Sequence, residues 1–207
     1  MSRSIITFFA IVSMVVSTFS QTSNQSTCNL TITQSPTVRG IRLGMSAEEL
    51  FALFPGSAER PENKNPMLSA QVPPNYGVAR LYFWLATYLS PAKERFSGID
   101  SISITLFDGR ATEIAVTYTG YPKGPSWSNV DDFIAKLSEA FALPGARDWL
   151  QSGGDQFSKT LKCGGFEIRA SNRNRNGSMS LSNNSYTETV RQRAAADEER
   201  KRREFKP

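Results

Sequence analysis

Residues 39–56, reading R-G-I-R-L-G-M-S-A-E-E-L-F-A-L-F-P-G, constrain the local fold more tightly than any other stretch. Ser46 stands where a helix N-cap is needed, and Glu49 three residues later can return a bond to the cap's own backbone, which makes a capping box. Met45 and Leu50 flank it with the spacing of a hydrophobic staple. Leu50, Leu53 and Phe54 form one apolar stripe, and Pro55-Gly56 stops the helix. The expectation is a short extended approach, a glycine turn and a capped helix.

The next clear signal is a hairpin. Ile102, Ile104 and Leu106 alternate with Ser101, Ser103 and Thr105, Asp108-Gly109 is a two-residue turn, and Ile114, Val116 and Tyr118 return. Upstream, residues 78–88 are aromatic and aliphatic and read as a strand. Residues 57–77 hold four prolines among small polar residues and read as a long loop. The Pro/Gly connector at residues 121–127 marks a boundary. Beyond it, Ser128 with Asp131 starts a second helix carrying Val130, Phe133, Ile134, Leu137 and Phe141 at helical spacing, ended by Leu143-Pro144-Gly145. Residues 157–162, 166–171 and 178–181 read as three further strands, joined by turns at Gly164-Gly165 and at residues 174–177. The order is helix, three strands, helix, three strands. This predicts an α+β fold of two tandem helix-plus-three-strand units, with an antiparallel sheet and helices on one face.

The ends of the chain differ from its body. Arg3, a twelve-residue apolar run at residues 5–16 and the small residues of Thr18-Phe19-Ser20 form a signal-peptide pattern with cleavage between Ser20 and Gln21. The run is shorter than the roughly 20 residues a membrane span needs. The expected organisation is therefore a signal peptide at 1–20 and an N-terminal segment with a first strand at 21–37. Two α+β units follow at 38–120 and 121–185, then a charged helical tail at 186–207. Ser185 and Glu188 offer a third capping box there. The net charge of +5 misleads as a partner signal, because residues 21–190 hold 16 basic and 15 acidic side chains. A near-neutral body argues against nucleic acid as a partner. The two cysteines of an exported chain, Cys28 and Cys163, are expected to pair and to tie the N-terminal strand to the second half of the sheet.

The pattern around Leu43, Gly44, Met45, Ser46, Glu49, Leu50, Leu53 and Phe54 resembles the α+β repeat unit shared by the small barrel-assembly outer-membrane lipoproteins and the tandem-repeat β-lactamase inhibitor proteins. The likeness covers about eighteen residues closely. The chain also resembles exported bacterial proteins of unassigned function that carry the same "RGIRLGM" helix start and an "LKC-GFEI" strand pair, here residues 161–168. It lacks the lipoprotein cysteine, since Cys28 follows Gln25-Ser26-Thr27 rather than a lipobox. The shared motif is structural and transfers no catalytic residue. In the inhibitor proteins the sheet face is the binding surface, which is what the resemblance implies for this chain.

Catalytic chemistry finds little purchase. The chain has no histidine, which removes Ser-His-Asp and Cys-His mechanisms and the commonest metal ligand. Paired cysteines leave no thiolate. The acid pairs Glu48/Glu49 and Asp131/Asp132 lie in first helical turns, where the helix dipole accounts for them. No catalytic residue, metal or cofactor is expected, and the reading is not an enzyme. Binding has more support. Along residues 80–89, Leu81, Phe83, Leu85 and Leu89 suit a face covered by helices, leaving Tyr82, Trp84 and Tyr88 on the other. Ser103, Thr105, Glu113, Thr117, Lys162, Glu167 and Arg169 belong to that outward set. The candidate binding face is therefore Tyr82, Trp84, Tyr88, Lys162 and Arg169, and the expected partner is another envelope or secreted protein bound by a monomer or weak oligomer. An alternative is a secreted inhibitor of a hydrolase, inserting the loop at residues 90–98 with Lys93, Glu94 and Arg95. Against both stands a loop at 57–77 folded over Tyr82 and Trp84 to make a second small core. The exposure of those two side chains separates the readings.

Overall fold

The computed structural model describes residues 28–88, 91–120 and 122–206. The signal peptide and its cleavage point at Ser20 and Gln21 lie outside these residues. Seven strands form one antiparallel sheet: β1 (Val78–Trp84), β2 (Ile99–Phe107), β3 (Arg110–Tyr118), β4 (Leu150–Ser152), β5 (Asp155–Cys163), β6 (Phe166–Arg173) and β7 (Asn176–Ser182). Their order is β1-β2-β3-β7-β6-β5-β4, so the two halves meet where β3 lies beside β7. Helices α1 (Ala47–Leu53), α2 (Pro61–Ser69), α3 (Ala92–Arg95), α4 (Val130–Phe141) and α5 (Tyr186–Glu204) complete the domain. The α+β class holds, but the count differs from two units of one helix and three strands. The first half holds three helices with three strands, and the second has four strands.

Register explains the core. Leu81, Ile104, Ile114, Leu181, Ile168 and Leu161 are successive cross-strand partners from β1 to β5. Each is fully buried. Because side chains alternate along a strand, one such line commits a whole face of the sheet to the helices. Each Leu or Ile in it contributes roughly 1.5–3 kcal/mol by leaving water. Helix α1 lays Leu50 and Phe54 on this face, with Phe54 stacked between Phe83 at 4.1 Å and Phe96 at 4.7 Å. Its capping box forms as expected: Glu49 N–H donates to Ser46 Oγ at 3.2 Å, and Ser46 N–H donates to Glu49 Oε2 at 2.7 Å. Helix α4 buries Val130, Phe133, Ile134 and Leu137. Its N-cap is Asn129 rather than Ser128, with Asn129 Oδ1 accepting from Asp132 N–H at 2.9 Å.

The N-terminal segment is bonded by Cys28–Cys163, across 135 residues of sequence. It is not a full strand. Cys28 N–H donates to the Lys162 carbonyl, Gly164 N–H donates to the Leu30 carbonyl, and Thr31 makes a single parallel bridge before the chain turns into a short 3-10 helix. The proline-rich stretch read as a loop contains α2, with Pro61 at its first position, where a missing N–H costs nothing. Strand β1 stops at Trp84, where a 3-10 turn (Leu85–Thr87) takes over.

The C-terminal helix also departs from a solvated tail. Ser185 makes no side-chain cap bond, and Glu188 pairs with Arg191 instead. Tyr186 stacks on Phe107 at 5.6 Å, and Arg193 grips the β2–β3 turn with bonds of 2.8 and 2.7 Å to the Asp108 carboxylate. Asp197 accepts from the Tyr76 hydroxyl at 3.0 Å. One aromatic stack and polar contacts at defined points dock this helix, which carries no apolar stripe.

Candidate functional site

The face opposite the core is open around Tyr82 and Trp84 but covered by the start of α5 near the β2–β3 turn, where Tyr186 stacks on Phe107 and Thr105 and Ser182 are buried, so the helices do not keep to one face; its composition follows from the same register. One line of cross-strand partners reads Trp84, Ser101, Thr117, Ser178, Ser171, Ser158. The next reads Tyr82, Ser103, Ala115, Ser180, Arg169, Thr160, Leu150. The third reads Arg80, Thr105, Glu113, Ser182, Glu167, Lys162. Small hydroxyl side chains fill the middle of the sheet, aromatic rings stand at the β1 end, and charges of both signs gather toward β5 and β6.

Tyr82 and Trp84 are 38 % and 53 % exposed. The 57–77 segment does not cover them. Helix α2 packs beside β1 instead of over its face, and Asn63 makes the join. Its Nδ2 donates to the Ser57 carbonyl at 3.2 Å, while its Oδ1 accepts from Tyr82 N–H at 2.8 Å. A fully buried amide thus occupies the free edge of β1 and leaves the two rings in solvent. Between them and Arg169 lies a shallow depression of about 270 Å³, floored by Ala115, Thr117, Ser178 and Ser180.

Tyr88 does not belong to this surface. It is 6 % exposed. The 3-10 turn after Trp84 breaks the alternation that placed it outward and swings its ring into the aromatic core beside Phe54 and Phe83. Arg60 stacks over it at 4.2 Å. Burial pushes the Tyr88 hydroxyl above its ordinary pKa, a push opposed by the charge of Arg60 and by Ser57 beside it. Lys162 and Arg169 do lie on the open face. They sit on β5 and β6, however, with Arg169 four strands from Tyr82, roughly 19 Å away at the usual strand spacing. The face is shared, but it is not one cluster.

Around Arg169 the surface is stiffened by hydrogen bonds. Arg169 donates to Ser158 Oγ at 3.0 Å, and Ser158 Oγ donates to Asp155 Oδ2 at 2.8 Å. Arg173 reaches the same Asp155 oxygen at 2.7 Å. The Ser158 hydroxyl, the Phe157 N–H and Arg173 hold the Asp155 carboxyl below its usual range. Ser171 and Ser178 bond to each other at 2.7 Å. Asp155 and Arg173 were not anticipated from sequence, and neither was Leu150, exposed at the far end of the Tyr82 line. A three-residue strand has no periodicity to read.

The acid pairs stay apart. Glu49 serves its cap, with Arg42 at 3.6 Å, and Asp131 pairs with Lys159 at 2.5 Å on another helix. The segment suggested for an inhibitory loop is folded against the body. Ala92 and Phe96 are buried, and Arg95 Nε donates to the Arg39 carbonyl at 3.2 Å. No helix among the described residues is long and apolar enough to cross a membrane.

No protein-family model, curated protein or solved structure matches this chain. The functional reading therefore rests on the geometry of the open face.

Proposed function

We propose that this is an exported, non-enzymatic binding module of the cell envelope that holds another envelope or secreted protein on its open sheet face. The observation that carries the reading is the exposure of Tyr82 and Trp84 beside a flat, small-residue surface. Large amphipathic rings of this kind dominate the energy of protein interfaces, because they bury much area with few rotatable bonds. The hydroxyl-lined depression admits a complementary ridge, and the charges near β5 and β6 suit an interface rim. The Cys28–Cys163 bond fits an oxidising compartment.

Affinity capture from envelope extract tests the reading, with the wild-type chain, Trp84→Ala and Ser180→Arg as baits. Trp84 is more than half exposed, so its truncation should leave the unfolding midpoint unchanged. A partner held by this face should fall at least tenfold with either variant, since a hot-spot residue is worth about 2 kcal/mol or more. Equal recovery by all three baits would remove the sheet face from consideration.

A further inference from the structure

On the opposite, helix-covered side, a cleft of about 550 Å³ opens between α4, the turn at Arg39 and the adjoining ends of β2 and β3, a size typical of small-molecule sites. Its wall is apolar and aromatic: Ile99, Tyr118, Trp127, Phe133, Leu137 and Phe141. Phe133 organises that wall, with Tyr118 edge-on at 5.7 Å and Trp127 at 5.5 Å. Among the described residues, the charged ones lining the cleft are Arg39 and Lys136, and none is acidic. Lys136 is paired with Glu139 at 2.7 Å. Arg39 makes no ion pair among the described residues and is held in place by its backbone. It sits with Gly40 at the tip of a tight turn, φ 52° and 96°, closed by two hydrogen bonds between Val38 and Ile41.

Tyr118 supplies the second polar feature. Its hydroxyl makes no hydrogen bond among the described residues. Desolvation raises it to about 12, against the opposing charge of Arg39, so it is a neutral donor at any physiological pH. An Arg39 guanidinium free of ion pairs, a Lys136 ammonium shared with Glu139 and a phenol donor at the rim of an aromatic box suit a monoanion with an apolar tail. They do not suit a cation, which would meet two basic residues. The apolar wall along Trp127, Phe133 and Leu137 favours a carboxylate carried on an acyl chain over a free phosphate, which has no apolar part to bury there.

We infer that the cleft binds a free medium-chain fatty acid, with the acyl chain along Trp127, Phe133 and Leu137 and the carboxylate accepting from Arg39 and the Tyr118 hydroxyl. Isothermal titration calorimetry of the full chain with octanoate and decanoate, below their micellar concentrations, reads this directly. Saturable one-to-one binding is expected, tightening roughly fifteenfold from octanoate to decanoate at the usual gain per buried methylene. Arg39→Ala should weaken decanoate about tenfold, the scale of a charge-assisted hydrogen bond, and leave decanol unchanged. Ala140→Trp, on the exposed side of α4 at the cleft mouth, should abolish both. Lys136→Glu keeps a solvent-exposed helix position and should weaken decanoate selectively by bringing an acid to the rim. No saturable decanoate binding by the folded wild type would overturn the inference. So would equal or tighter binding of decyltrimethylammonium, equal loss of decanol and decanoate in Arg39→Ala, or binding only of peptides with an apolar C-terminal residue.

Discussion

Asn63 joins α2 to the edge of β1, and its removal tests how that edge is kept from pairing with other chains. The side chain is fully buried and makes two hydrogen bonds to backbone, 3.2 Å to the Ser57 carbonyl and 2.8 Å from Tyr82 N–H. Asn63→Ala deletes both and strands one acceptor and one donor. Each bond is worth about 0.5–1.5 kcal/mol net, and each stranded group costs about 1–3 kcal/mol where water cannot reach it. Partial hydration of the half-buried Tyr82 amide lowers the sum, leaving about 2–4 kcal/mol. With a urea slope of about 2 kcal/mol/M, the unfolding midpoint should fall by about 1–2 M. Asn63→Asp sharpens the test. It keeps the acceptor for Tyr82 N–H but sets a carboxylate against the Ser57 carbonyl, so burial and that contact raise its folded pKa above the unfolded value. Its penalty should be full at pH 7 and shrink as the pH falls toward 4, while the Asn63→Ala penalty stays constant. Circular dichroism in urea at the two pH values, with amide exchange at Tyr82, measures both effects. A loss below about 0.5 kcal/mol in Asn63→Ala, or a gap for Asn63→Asp that ignores pH, would refute the role given to this amide.

The disulfide, the helix dock and its acid sensitivity are open to similar measurement. Replacing Cys28 and Cys163 by Ala releases a closure spanning 135 residues; chain entropy sets an upper figure of about 5 kcal/mol, and a loss of 2–5 kcal/mol is expected in denaturant titration. Gly77, at φ +99°, leaves no space for a Cβ against Asp108 and Arg193, whereas Gly109, at φ +77°, has open space around it. Gly77→Ala should therefore speed amide exchange in α5 well beyond Gly109→Ala, which carries backbone strain alone; equal effects would mean that the dock does not depend on that close approach. Lys201 and Arg200, helped by the Tyr76 hydroxyl, hold the Asp197 carboxyl at about 2. Because the folded value lies below the ordinary 3.8, its stabilisation is complete above about pH 4 and is lost as the pH falls toward 2. Amide protection of α5 should decline over that window in the wild type, and in Asp197→Asn it should start lower and fall less steeply, with only the Asp108–Arg193 pair left to titrate.

What could be read from sequence was local. The Ser46–Glu49 capping box, the Asp108-Gly109 hairpin and the apolar lines of β2, β3 and α4 each depend on residues a few positions apart, and all formed. The misses have long-range or competing causes. Ser128 and Asn129 are both good caps, and the helix starts from the second. Pro61 and Pro66 masked α2, whose Asn63 finds one backbone partner on β1, the Tyr82 N–H, and one before the helix, the Ser57 carbonyl. Tyr88 was assigned outward by carrying strand alternation past Trp84, where the chain turns instead. Helix α5 has no apolar stripe to announce its docking, since Arg193 and Asp197 hold it by charge and hydrogen bonds. Of the proposed face, Tyr82, Trp84, Lys162 and Arg169 do share one side of the sheet. Their separation, four strands from β1 for Arg169 and five for Lys162, could not be known without the β3–β7 pairing.

That pairing also limits how a partner can approach. A sheet offers either an edge or a face. At the β1 edge, Asn63 takes the Tyr82 N–H, and α2 lies alongside. At the other end the outermost strand, β4, is only three residues long. Just beyond it, the end of β5 is taken by the N-terminal segment through Cys28 N–H and the Leu30 carbonyl, with the disulfide fixing the join. Strand addition therefore has no long free edge to extend. The face carries the opposite design: two lines rich in small hydroxyl residues, bounded by two exposed rings and a braced arginine, in a domain whose other face packs most of its area against the core. A partner that adds a strand would have to displace α2 and should compete with Asn63. One that docks on the face should be indifferent to Asn63→Ala at temperatures where the variant stays folded, yet lost with Trp84→Ala. Measured side by side on the same captured partner, the two variants decide between these modes of recognition.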